Sequence, residues 1–259
     1  MFNQDRKWEF YLDGDSMDFR YYSEHFISSY FDISGGIDHY HDCINDDFRL
    51  KSAYFEDESD PEIVWQIGYE LASLYNGATS IFSTKTIKLD LNTLLYNGVK
   101  LPNKPKKRNT YALLGKPNIS EEIYNLEFEK TKEFDTRLFL IIIATERADV
   151  YLILKYFDSE PNYINFYKIL ETLESLSKST GINITVDESQ RKAFKNTANN
   201  YTLSGLESRH GFKNTIKDNS SASMNLDEAH TFLSEIAKQY LNNLLNGIID
   251  GQQPREFEI

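Results

Sequence analysis

The chain opens on an alternation. From Lys7 to Asp13 the apolar residues Trp8, Phe10 and Leu12 occupy every second position, the period of a strand with one buried face. Asp13-Gly14-Asp15 follows as a turn signal. Residues 17–30 are rich in aromatics and fit strand and helix equally. Ser34-Gly35-Gly36 predicts a break, and 48–55 predicts another strand. The acidic run Glu56 to Asp60 reads as a solvated loop. Asp60 and Pro61 suit the cap and first residue of a helix with the stripe Ile63, Ile67, Leu71 and Leu74, ended by Asn76-Gly77. Residues 79–91 look extended, with Ile81, Ile87 and Leu89 facing inward. The basic, proline-containing run 102–109 reads as an exposed connector or hairpin, and Thr110 to Leu114 as a last strand.

Gly115-Lys116-Pro117 marks the expected domain boundary, and beyond it the period becomes helical. Residues 119–132 are equivocal, because Tyr124, Leu126 and Phe128 alternate. Phe134 to Thr145 is apolar enough for a buried helix, and Asp149 to Phe157 predicts a short one. Ser159 and Pro161 suit the start of a helix with the stripe Tyr163, Tyr167, Leu170, Leu173 and Leu176, stopped by Gly181. Asp187 to Gln190 opens another helix in the manner of a capping box. Ser204 to Glu207 resembles a second box, opening a very short helix with Arg209 and His210 in its last turn. Asn225 to Glu228 starts the final helix, with Leu226, Ala229, Leu233, Ile236, Tyr240 and Leu244 on one face and Gly247 to end it. The expected fold class is α+β. A strand-rich part with a covering helix spans 1–117, and an all-α helical part spans 118–259.

Charge changes the picture. The chain has 259 residues and a net charge of -12, which disfavours a broad coat for nucleic acid or an anionic membrane. Arg191 to Lys217 departs from this, with six Lys/Arg against one acid, Glu207. That stretch is +5 and the rest of the chain is -17, so a local anion site survives. Cys43 is the single cysteine, which excludes an internal disulfide and fits a reducing compartment. The first ten residues carry no apolar run of the signal-peptide kind, and the Leu138 to Ala144 run is too short to span a bilayer. A cytoplasmic protein without membrane association is expected.

Candidate chemistry gathers in the basic stretch. Arg209 offers a planar fork of donors for phosphate or carboxylate, and His210 beside it can exchange protons near neutral pH. Arg191, Lys192, Lys195, Asn199 and Lys213 are the companion ligand-binding candidates. The competing structural reading pairs Arg209 with Glu207 or a helix carboxylate and leaves His210 as a helix-end group. His39, His41 and Cys43 would share one face of a strand and are zinc-ligand types. The set lacks a fourth ligand, so no metal is assigned. Glycine-rich phosphate loops, Gly-x-Ser-x-Gly and His-Glu-x-x-His are absent, and no cofactor is assigned.

The run Phe194 to Asn200, the Ser204-Gly205 turn, Arg209-His210-Gly211 and the final amphipathic helix resemble an uncharacterised bacterial family. Its helical architecture is similar to the HEPN superfamily, which includes metal-independent ribonucleases and inactive, binding-only relatives. The resemblance covers about half the chain, from roughly Phe134 to Leu245. The HEPN ribonuclease pattern is an Arg, a polar residue, and a His four to six residues further on. Arg209-His210 matches its opening, but the closing position holds Asn214, Thr215 or Ile216. Arg191 likewise faces Asn196, Thr197 and Ala198. An Arg alone stabilises charge and moves no proton, so His210 or His230 would have to substitute.

Three readings follow. The first is a non-catalytic binding or regulatory protein that recognises a protein partner or an anionic ligand, RNA included, through the basic patch. The resemblance implies a phage-defence or toxin-antitoxin setting for it. The second is a HEPN-type endoribonuclease using Arg209, His210 and His230. The third is a structural scaffold, in which an exposed share of the 17 Tyr and 17 Phe serves a homo-oligomer interface.

Overall fold

A computed structural model describes residues 7–38, 43–83, 87–108, 112–212 and 223–250. Two compact units emerge. One holds the described residues up to Ala78 and those from 87 to Glu146; the other holds Thr79 to Ser83 and everything described from Arg147 onward. The expected boundary at Pro117 does not fall on this division, because two helices beyond Pro117 group with the sheet.

The first unit contains an antiparallel five-stranded sheet in the order β2-β3-β1-β4-β5. Its strands are β1 Trp8–Asp13, β2 Asp32–Asp38, β3 Cys43–Lys51, β4 Asp90–Tyr96 and β5 Val99–Lys100. The alternation in β1 is borne out: Trp8, Phe10 and Leu12 are buried at the centre of the sheet. The undecided residues 17–30 hold helix α1 Ser16–His25, because the Asp15 carboxylate accepts from the Met17 and Asp18 amides and starts it. Ser34-Gly35-Gly36 does not break the chain. It lies inside β2, where the register shifts between Gly35 and Ile37. Gly35 has φ +107°, and a Cβ there would stand 2.0 Å from the Asp47 carbonyl, so only glycine lets these strands approach.

Helix α2 Pro61–Phe82 covers the sheet. The Trp65 ring meets Phe10 edge-on at 4.8 Å, and Gly68 leaves room for Phe10 and Leu91. Asn76-Gly77 does not end this helix. The Asn76 side chain is buried and clamps Leu89, donating to its carbonyl and accepting from its amide. Ile81 is therefore a buried helical residue, not a strand residue, and Ile87 is exposed. An Asn97-Gly98 turn with φ +47° and +77° joins β4 to β5. The basic run beyond β5 lies along α2. Tyr69 donates to the Pro105 carbonyl at 2.8 Å, and Gln66 donates to the Lys106 carbonyl while accepting from the Arg108 amide. Residues 112–114 form no strand, and Thr110 lies outside the described residues.

Helices α3 Glu121–Phe134 and α4 Thr136–Glu146 complete the unit. The alternation near 124–128 misleads because α3 buries a polar side. Glu127 and Thr131 are enclosed, while Leu126 is 46% exposed. Both Glu127 oxygens accept from the Ser29 amide at 2.8 and 2.7 Å, and the Ser28 hydroxyl donates to one of them. Helix α4 is almost wholly apolar and buried, as its composition predicts.

The second unit is helical: α5 Ala148–Asp158, α6 Tyr163–Thr180, α7 Glu188–Asn199, the short α8 Tyr201–Ser204 and α9 Leu226–Ile249. Asn162, not Ser159, caps α6, and Gly181 at φ +76° ends it. Asp187 caps α7, and Asn225 with Glu228 forms the capping box that opens α9. At its core Asp149 is 1% exposed, is gripped by two Arg147 nitrogens at 3.1 and 2.8 Å, and accepts from the Tyr240 hydroxyl at 2.8 Å.

Glu127→Ala leaves the Ser29 amide without an acceptor and opens a small void. We expect a loss of about 2–4 kcal/mol in denaturant unfolding, against less than about 0.5 kcal/mol for the half-exposed neighbour in Leu126→Ala.

Candidate functional site

All but one of the described arginines donate hydrogen bonds to oxygen. Arg20 donates to the Gly36 carbonyl, Arg49 to Glu9, Arg108 to Glu62, Arg137 to Asp135 and Asp18, Arg147 to Asp149, and Arg191 to Glu174. Arg209 is different. Among the described residues it is the one arginine whose guanidinium makes no hydrogen bond. Its carbon lies 3.9 Å from the centre of the Tyr167 ring, a cation–π stack. The nearest carboxylate oxygen, on Glu171, stands 3.7 Å away, beyond hydrogen-bond reach. The side chain is 37% exposed: the fork rests on the ring, Nη2 ion-pairs loosely with Glu171 as the structural reading of a helix carboxylate expected, and no described residue accepts a hydrogen bond from its N–H groups.

Local structure sets this position. Helix α7 ends at Asn199, and Asn200 caps the four-residue α8 through the Thr202 amide. Gly205, at φ +58°, turns the chain into a single 3-10 turn, Gly205–Glu207. The expected second capping box is not formed. The Ser204 hydroxyl instead donates back to the Thr197 and Asn200 carbonyls. Arg209 and His210 follow the turn and sit in no helix, so the expected last helical turn is not formed. The Arg209 amide donates to the Ala198 carbonyl at 2.7 Å, which ties the segment to the last turn of α7 and brings its side chain over α6.

The other expected site residues divide. Lys195 places its ammonium 6.0 Å from the centre of the same Tyr167 ring, so two cations approach one aromatic side chain. Asn199 donates to the Lys195 carbonyl, and its own oxygen is buried with no hydrogen-bond partner among the described residues. The buried Ser208 hydroxyl is likewise unpartnered among them. Arg191 is committed to Glu174 and Glu188, a structural pairing rather than an open cation. Lys192 and His210 are exposed. Lys213 lies outside the described residues, as do His39 and His41; Cys43 is an exposed free thiol. Among the described residues no group of three or more His, Cys, Asp or Glu is placed to hold a metal.

His230 has its own setting. Its Nε2 lies 3.0 Å from the Ser80 hydroxyl, between the rings of Phe157 and Phe166. Phe166 and Tyr167 are consecutive in α6 and project about 100° apart, so His230 and Arg209 are seated on different sides of that helix. Burial pushes the His230 pKa below the ordinary value, Asp227 opposes this and Lys238 adds to it. The residue that the stripe in α6 concealed is Tyr167. Its spacing from Tyr163 marks it as core, yet only Tyr163 is buried and Tyr167 stays at the edge, where it carries the cations.

Chemically, the arrangement is a preset donor fork beside a second cation. It can bind and orient an anion. Proton transfer is less well served, since the histidine next to Arg209 is exposed and the other is engaged with Ser80. No helix among the described residues is long and apolar enough to cross a membrane. No family model, curated protein or solved structure matches the chain.

Two outcomes are expected. Arg147→Ala leaves the Asp149 carboxylate buried without its cation and should cost about 3–5 kcal/mol in chemical denaturation, whereas Arg209→Ala should change stability by less than about 0.5 kcal/mol. Separately, the lowered pKa means that the folded chain binds less proton at His230 than the unfolded chain does. Its contribution is full above the unfolded value of about 6.5 and shrinks as pH falls through it. Melting curves at pH 7.5 and 5.5 should show a smaller acid-induced loss in His230→Gln than in the wild type.

Proposed function

We propose that this chain is a non-catalytic binding or regulatory protein that recognises an anionic group through Arg209, with Lys195 as the second cation. The observation that carries the reading is the Arg209 guanidinium, stacked 3.9 Å above Tyr167 with no hydrogen-bonded acceptor among the described residues. Stacking fixes the plane of the fork before any ligand arrives, which lowers the ordering cost of binding. The surrounding -12 chain restricts the ligand to a few negative charges and argues against a long polyanion. A HEPN-like helical scaffold remains part of the proposal, with its inactive, binding-only relatives as the better parallel. A regulatory role in a bacterial defence or toxin-antitoxin system is the setting that the parallel suggests. The ribonuclease alternative requires a proton-transfer group at Arg209, and His210 is the residue in position to be tested.

Nuclear magnetic resonance of the arginine side chains tests the anion site. Titration with inorganic phosphate, and separately with acetate, should shift the Arg209 Nε–H signal saturably and leave that of Arg147 in place. A mixed RNA pool incubated with the protein, with and without chelator, should stay intact. An unresponsive Arg209 signal would remove the anion site. Chelator-resistant cleavage lost in both Arg209→Ala and His210→Ala would replace the binding reading with the nuclease.

A further inference from the structure

The segment that presents Arg209 is firmly tied, yet it keeps its largest apolar side chains outside. Its hydrogen bonds run back to the end of α7, from the Ser204 hydroxyl and from the Arg209 amide. Three residues before Arg209, Leu206 is 90% exposed; three residues after it, Phe212 is 71% exposed. Leu206 is the most exposed large apolar side chain among the described residues, and Phe212 is among the next few. Phe212 leans edge-on against Tyr201 at 5.4 Å, which props the ring without covering it. Isolated exposed leucines are ordinary, but an arginine on an aromatic ring with an exposed Phe and Leu three residues away in sequence has the arginine and aromatic content of protein interfaces.

We infer that this surface docks an acidic segment of another protein. A carboxylate of that segment takes the hydrogen-bond donors of the exposed Arg209 guanidinium in place of the loose ion pair with Glu171, and its apolar side chains cover Leu206 and Phe212. The inference rests on the Arg209 anion site and specifies its ligand.

Charge complementarity selects the occupant. Arg191 to Lys217 is +5 in sequence within a chain whose remainder is -17, and with Arg191 closed by Glu174 and Glu188 the exposed Lys192 and Arg209 and the half-buried Lys195 carry the attraction for an acidic segment. A short segment with a few carboxylates gains from the local cations without facing the whole negative surface. A nucleic acid strand fits less well. Phe212 exposes a stacking face, but a strand of many phosphates would run across the -17 carried by the rest of the chain.

A random peptide library displayed on phage and selected against the intact chain tests this. Enriched peptides should combine Asp or Glu with Leu, Ile, Phe or Trp a few positions away. A synthetic copy of one should lose roughly tenfold or more in affinity for Arg209→Ala, and also for the double variant Leu206→Ser/Phe212→Ser. Both variants should melt with the wild type, because all three side chains are exposed. Enriched peptides without acidic residues, no enrichment at all, or unchanged affinity for either variant would overturn the inference. So would an Arg209-dependent dimer in sedimentation, which puts a second copy in the partner's place, or a single-stranded RNA pool that binds more tightly than the best peptide. The double variant should still show the phosphate and acetate response at Arg209. If that response persists while peptide selection fails, the anion site stands and only the identity of its ligand is wrong.

Discussion

A carboxylate taken out of water must be supplied with donors, and this requirement organises each unit of the chain. In the first, Glu127 gathers the Ser29 amide and the Ser28 hydroxyl, so the segment between α1 and β2 and the middle of α3 are fastened to one another. In the second, Asp149 takes two nitrogens of Arg147 and the Tyr240 hydroxyl, which joins the start of α5 to the centre of α9. Apolar contact is worth more in total, but it is tolerant of small slips. A buried carboxylate is not, because each lost donor leaves a group whose desolvation is uncompensated. Position along the helix is therefore set by these two acids more sharply than by the leucines around them.

The same rule governs the cations and gives Arg209 its meaning. Where an arginine is structural here, its fork is closed by oxygen, as with Arg137 between Asp135 and Asp18 or Arg191 against Glu174. Burial disfavours the charge on Arg137, but the hydrogen bond and negative charge of Asp135 outweigh it and hold the pKa above the ordinary arginine value. Arg209 is oriented by a different force. Contact with the Tyr167 ring fixes the plane of the guanidinium while using none of its N–H donors. An interaction that orients a group and leaves its donors free is suited to recognition.

Much of the fold was legible in the sequence, and the misses share a cause. β1, α4 and α9 follow from periodicity and caps, because in these elements the buried side is the apolar side. α3 does not follow, because Glu127 and Thr131 occupy its buried side and leave Leu126 outside. Ser34-Gly35-Gly36 and Asn76-Gly77 resemble breaks for a similar reason. Gly35 and Gly36 allow close approach to β3, and Asn76 clamps Leu89, partners that a local break signal does not reveal. The site was half legible. Arg209 and Lys195 stand out against an acidic background, but Tyr167 is hidden in an apolar stripe, and nothing in the spacing separates a ring in the core from one at its edge.

The geometry also bears on why binding is favoured over catalysis. A transition state in RNA cleavage needs charge stabilisation and a positioned proton carrier within hydrogen-bond reach of it. Arg209 meets the first need. For the second, a histidine must be held, and holding requires a partner for its other nitrogen or a packed ring. His230 is held in that way, by Ser80 and two phenylalanine rings, but on the Phe166 side of α6. His210 lies beside Arg209 but is open to solvent, and an imidazole free to rotate spends little of its time in a productive orientation. One histidine has the anchoring and the other has the position. What stands at Arg209 is a fixed set of donors flanked by exposed apolar side chains, and that combination selects partners by charge and shape.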